Sequence, residues 1–255
     1  LTDLGQYTFL DIMSAEGFTL ERADQLFAAA IESLIKFQCS SEPEVLPPYD
    51  EALLRRELEL FPEWFLQKHL GLKLDASWRA LLDRLFDSLV AQLLSQKTVY
   101  VHRDFMPRNL MLSEDEVEQA KPTVGVLDFQ DAVYGPISYD IASLFKDAFI
   151  SWPETNVEQW QQQYWQQAKQ QGLPVPALWA DFQRDCDYMA AQRHLKVIGI
   201  FARIYYRDGK SRYLADTPRF FGYLNTVAAR RPELTALSEL LTALAPMLEQ
   251  QSKPQ

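Results

Sequence analysis

The sequence predicts an α+β fold, mostly α with a few short β segments. Three features predict it. Apolar residues recur at helical spacing over long stretches, from Leu20 to Ile35 and again from Trp78 to Leu93. Against that background only short apolar runs read as strands, at 99–101, 110–112 and 124–127. Hydrophobic residues make up 47% of the 255 and aromatics 13%, which is the composition of a packed globular chain.

In order along the chain, residues 1–18 precede the first stripe and, taken alone, read as a frayed terminus. Thr19 is placed to cap a helix with Leu20, Ala23, Phe27, Ala30, Ile31, Leu34 and Ile35 inside. Pro43, Pro47 and Pro48 bound a loop, and Asp50 is the cap of a second pattern, Leu53, Leu54, Leu58 and Phe61. Pro62 should break or kink that pattern, since it lacks an N–H and clashes with the preceding turn. His69, in QKHLG, reads as a surface histidine in a polar turn. Asp75 opens a long helix through Leu94, with Trp78, Leu82, Leu85, Leu89 and Leu93 on one face.

Next comes TVYVHRDFMPRNLML, residues 98–112, followed by VGVLDFQD, residues 124–131. The first is a strand, a polar loop with His102, Arg103, Asp104 and Asn109, and a second apolar run; the second is a buried-looking strand ending in Asp128. Phosphoryl transfer needs these parts: one Asp to accept the proton of an attacking hydroxyl, then an Asn and a second Asp to hold the Mg2+ that bridges ATP phosphates. Pro107 stiffens the turn that points Asp104 and Asn109 to different tasks. A hard octahedral cation wants oxygens from separate directions, which is why Asp128 comes from another strand. The competing reading is a polar β-hairpin with solvent-facing acids, and a lone HRD would favour it. HRD-x4-N followed by a strand-terminal DF is far more specific. His102 reads as a structural histidine bonded to backbone, and Arg108 as reaching a phosphate or bracing a carboxylate. The intervening SEDEVEQAKP is a solvated hairpin tip.

Beyond this the chain turns helical. Residues 138–150 carry Asp140 and the apolar face Ile141, Leu144, Phe145 and Phe149. In EQWQQQYWQQAKQQG, Trp160, Tyr164 and Trp165 form the aromatic stripe of a surface helix, or else a wall for a sugar face. Residues 177–206 read as one or two helices, and 214–248 as two more. Arg193, His194, Lys196, Arg203, Arg207 and Arg212 are a dense basic set in an acidic protein. They are salt-bridge partners of nearby acids, or, for an Arg such as Arg193 or Arg203, a fork for a substrate carboxylate.

Lys plus Arg is 25 against 35 Asp plus Glu, a net charge of −10, which disfavours nucleic acid and anionic membrane as partners. Cys39 and Cys186 are far apart and lack metal-like spacing, so free thiols in a reducing compartment are expected. With no signal peptide and no long apolar run, a cytoplasmic location is expected.

HRDFMPRN, VLDFQ and GPISYDIASL together resemble the aminoglycoside phosphotransferase and choline kinase superfamily, relatives of protein kinases. Within it, LPPYDEALLRRELELFPEWFL, LDFQDAVYGPISYDIASL and QRHLKVIGIFARIYYRDGKSRYLADTPRF resemble the anomeric N-acetylmuramate/N-acetylglucosamine kinases of bacterial cell-wall recycling. The resemblance implies a protein-kinase-like C-terminal lobe, with Asp104 as catalytic base, Asn109 and Asp128 as Mg2+ ligands and Asp140 bracing the catalytic loop. It implies ATP as cosubstrate and a small-molecule acceptor, an amino sugar first, with an aminoglycoside or choline-like cation as the alternative. It also reads 1–18 as a hinge-like segment whose Asp3 and Leu4 face the adenine, and 19–255 as the lobe itself, with catalytic segments at 98–131 and a helical substrate subdomain at 138–250. There are departures. Gln130 stands where protein kinases have the Gly of DFG. The nine Gly form no GxGxxG, and the smaller N-terminal ATP lobe is expected to be absent, which leaves a non-catalytic binding module as a further alternative.

Overall fold

The computed structural model describes residues 4–113, 116–117 and 119–251. It is 64% helix and 7% strand, the mostly α composition expected. The chain forms two compact units, each built from two separated segments: residues 1–49 with 96–186, and residues 50–95 with 187–255.

The first unit opens with strand β1 (Tyr7–Thr8) and helix α1 (Phe9–Met13), neither of which the periodicity revealed. A reciprocal capping box between Thr8 and Asp11 starts α1. Helix α2 (Leu20–Cys39) begins on the Thr19 cap, and its expected apolar face is the spine of the core. Strand β2 (Thr98–Val101) pairs antiparallel with β5 (Val133–Pro136), while β3 (Leu110–Leu112) lies between β1 and β4 (Gly125–Val126). Strand β5 was not predicted, because VYGP carries too few apolar positions to show a period. Helix α5 is shorter than expected, Tyr139–Phe145.

Helix α6 (Glu154–Gln170) turns two of the three stripe residues into the core and leaves Trp165 partly exposed, with its indole N–H on the Pro176 carbonyl. Trp160 and Tyr164 are buried against α2, neither on a surface nor on a pocket wall. The Trp160 indole N–H donates to Asp24 at 2.7 Å and the Tyr164 hydroxyl to Gln38 at 2.5 Å, so each ring enters the core with its polar end satisfied. The Gln-rich sequence hid this, since the apolar face is carried by aromatics spaced among amides. The tip at 113–123 lies partly outside the described residues. Its described carbonyls at Val117 and Gln119 accept from Arg22 of α2, so it is pinned rather than simply solvated.

The second unit holds α3 (Glu51–Leu58), a π-helix (Phe61–His69), α4 (Ala76–Ser95), most of α7 (Trp179–Asp208), α8 (Thr217–Arg230) and α9 (Thr235–Gln251). The α pattern breaks before Pro62, with α3 ending at Leu58, and Pro62 sits in the first turn of the π-helix that follows, where its missing N–H costs nothing. His69 closes that helix and meets the Tyr206 hydroxyl at 3.2 Å, so it is not a free surface residue. Helix α4 starts as read, with the Asp75 carboxylate accepting from the N–H groups of Ser77 and Trp78. Buried Glu57 is paired with Lys196 at 2.8 Å, and buried Asp187 with Arg230 and Arg231. The pairing is essential there, because a buried carboxylate without a cation is costly.

Candidate active site

The first unit gathers the polar loop and Asp128. The loop leaves β2 at His102, and its backbone is fixed by one side chain. Asp140, fully buried at the start of α5, accepts from the N–H of His102 at 2.8 Å and from that of Arg103 at 3.0 Å. Arg103 takes a left-handed conformation, φ 73°, which turns the chain so that Asp104 follows with its side chain half-exposed. The Asp104 carboxylate makes no hydrogen bond or ion pair with the described residues, so its oxygens are available to accept a proton.

A 3-10 turn, Pro107–Asn109, brings the chain back. The Asn109 side-chain N–H donates to the Asp104 carbonyl at 2.9 Å, which ties the two polar residues and leaves the amide oxygen as the free end. The Asn109 carbonyl in turn accepts from Leu127 N–H at 3.0 Å, so the loop is linked directly to the segment carrying Asp128. Asp128 is not the end of a buried strand. Strand β4 stops at Val126, and Leu127, Asp128 and Phe129 are exposed, with Asp128 at φ 71°. The Gln130 side-chain N–H donates to Asp128 Oδ1 at 2.9 Å.

His102 is 2% exposed, edge-on to Phe37 and Phe105, and borders an apolar cavity of about 280 Å³ with Tyr100, Val126 and Phe129. Burial lowers its pKa, opposed by the charges of Asp104 and Asp128 and by the Leu127 carbonyl. Neither imidazole nitrogen makes a hydrogen bond among the described residues, and the residue is anchored instead by its main-chain N–H on the Asp140 carboxylate.

Leu4 packs its side chain on Gly125 of β4, the partner of strand β3, which begins directly after Asn109. Asp3 lies outside the described residues. Arg108 is exposed, with its guanidinium 5.7 Å from the Phe149 ring centre and no carboxylate partner among the described residues. Arg193 and Arg203 belong to α7 in the second unit. Arg193 is 4% exposed without an acid partner among the described residues, and Arg203 is half-buried. Lys196 and Arg207 are taken up by Glu57 and Asp208, as the salt-bridge reading of that basic set required. Among the described residues no cluster of three or more His, Cys, Asp or Glu could hold a metal by itself. Asn109 and Asp128 each keep an uncommitted side-chain oxygen, the donor type that Mg2+ takes alongside phosphates and water. Sequence reasoning missed Gln130 as a partner of Asp128 and Phe149 as a platform for Arg108; neither contact leaves a periodic signal.

Residues 4–179 match the family described as "Phosphotransferase enzyme family". The chain is 54% identical over 244 residues to the N-acetylmuramate/N-acetylglucosamine kinase of Pseudomonas aeruginosa, covering 96% of this chain and 69% of that protein. Identity to the N-acetylmuramate/N-acetylglucosamine kinase of Pseudomonas putida is 55%, over 96% and 68%. The crystal structure of choline kinase from Cryptosporidium parvum Iowa II superposes with a TM-score of 0.57 at 13% identity, covering 95% of this chain and 74% of that one. At that identity the likeness is one of fold. No helix among the described residues is long and apolar enough to cross a membrane.

Proposed function

The chain belongs to the phosphotransferase enzyme family, and from that membership we propose that it transfers the γ-phosphoryl group of ATP to the anomeric hydroxyl of N-acetylmuramate or N-acetylglucosamine. The acceptor rests on the two Pseudomonas kinases, which share more than half of their aligned residues with this chain. One observation carries the chemistry: a loop locked from behind by Asp140 presents an unencumbered carboxylate, Asp104, beside an Asn whose amide oxygen is free.

In this reading Asp104 accepts the proton of the anomeric hydroxyl as its oxygen attacks the γ-phosphorus. A new oxygen–phosphorus bond forms, the bond to the bridging oxygen breaks, and ADP leaves. Asn109 and Asp128 would hold Mg2+, which supplies charge neutralisation at the phosphates. Leu4, with Asp3 ahead of it, is proposed to border the adenine. Asp140 and the main chain of His102 set the loop. Arg108, Arg193 and Arg203 are the cations proposed for an acidic acceptor, because a guanidinium fork matches a carboxylate. A cytoplasmic location is proposed with this function.

The test is ADP release with Mg2+ and four acceptors offered in parallel: N-acetylmuramate, N-acetylglucosamine, an aminoglycoside and choline. Turnover confined to the two amino sugars is the expected result. Turnover on the aminoglycoside or choline alone would replace the acceptor and keep the reaction.

A further inference from the structure

We propose that Gln130 is a positioning residue for Asp128, holding one carboxylate oxygen so that the other meets the metal. The inference rests on the reading of Asp128 as a Mg2+ ligand. Asp128 is exposed and lies beyond the end of β4, so nothing in the core fixes its side-chain torsion. The contact that does so is the Gln130 N–H on Oδ1, at 2.9 Å; among the described residues the carboxylate has no other hydrogen-bond or ion-pair partner. Two backbone bonds place that amide. Leu127 N–H is tied to the Asn109 carbonyl on one side, and on the other Ala132 N–H reaches the Phe129 carbonyl at 3.1 Å, closing a turn around Gln130.

The chemistry of the donor matters. A carboxylate free to rotate pays rotamer entropy each time it ligates a cation, and a hydrogen bond to one oxygen removes part of that cost in advance. A Lys or Arg in this place would hold the carboxylate as well but would repel the cation. A glycine would leave it loose. A neutral amide orients the carboxylate and leaves its charge for the metal.

Gln130→Met keeps the length and removes the N–H. Mn2+ binding to the full chain in the presence of ATP, followed by electron paramagnetic resonance, reads the site without turnover. We expect Mn2+ to bind Gln130→Met about tenfold more weakly than wild type, the size typical of losing a partner of a metal ligand. In turnover the half-saturating Mg2+ should rise by a similar factor, while kcat at saturating metal stays within about twofold. Asp128→Ala is measured alongside. Unchanged Mn2+ affinity in Gln130→Met, with affinity lost in Asp128→Ala, would overturn the role of Gln130 alone. So would a fall in kcat with no change in metal dependence. Wild-type Mn2+ binding in Asp128→Ala would overturn the metal reading of Asp128 itself, and Gln130's role with it.

Discussion

Asp140 holds the loop that follows β2 by accepting two backbone N–H groups from a fully buried position. Replacing it by Ala strands both donors, and an unsatisfied buried donor costs about 1–3 kcal/mol. Asp140→Ala should therefore lose at least about 2 kcal/mol in urea unfolding. A midpoint equal to wild type would show that the loop is held by something else. Asp104 is the opposite case, with a carboxylate that makes no hydrogen bond or ion pair with the described residues. Asp104→Asn should melt like wild type and lose roughly 10²–10⁴-fold in turnover. His102 makes stability depend on pH. Burial holds its folded pKa below the ordinary histidine value of 6.5, so the unfolded chain takes up the proton first. The stabilising contribution is present above 6.5 and is lost as pH falls through the lowered folded value. In metal-free buffer, wild type should lose more stability between about pH 7 and pH 5 than His102→Leu does; equal losses would remove the effect. HRD-x4-N and DF were legible because chemistry fixes both their residue types and their spacing. The Gln130 contact was not, since it depends on the left-handed backbone of Asp128, φ 71°.

At the scale of elements, the stripe on α2 predicted its buried face, because a long apolar period has one reading. Short elements failed for the same physical reason. Strand β5, with four residues, and α1, with five, hold too few positions for a period to form. The break before Pro62 was legible but the π-helix that starts there was not, because Pro62 has the same signature whether it ends one helix or begins another. Helix α7 offers a sharp test of packing. A Cβ added at Gly199 would lie 2.3 Å from the Leu60 carbonyl carbon and 2.6 Å from Phe61 N, both backbone atoms that cannot swing aside. Gly199→Ala should cost about 1–3 kcal/mol. Gly222, exposed in the middle of α8 with nothing within 4 Å, should behave oppositely, and Gly222→Ala should gain about 0.5–1 kcal/mol. Chemical denaturation of the pair checks both signs, and equal shifts would refute the packing at Leu60.

At the scale of the whole molecule, each unit is made of two segments far apart in sequence, which no periodicity could reveal. Residues 50–95 leave the first unit and the chain returns at Gln96 to build β2 and the polar loop that carries Asp104. What sequence did reveal was the loop itself and its kinship, because both are written in a contiguous run. The most direct measurement is the phosphorus-31 spectrum of N-acetylmuramate incubated with this chain, ATP and Mg2+, with Asp104→Asn in parallel. The predicted result is a new resonance coupled to the anomeric proton, formed with wild type and nearly absent with Asp104→Asn. Phosphate appearing on any other oxygen of the sugar, or an equal yield from Asp104→Asn, would contradict Asp104-directed phosphorylation of the anomeric hydroxyl.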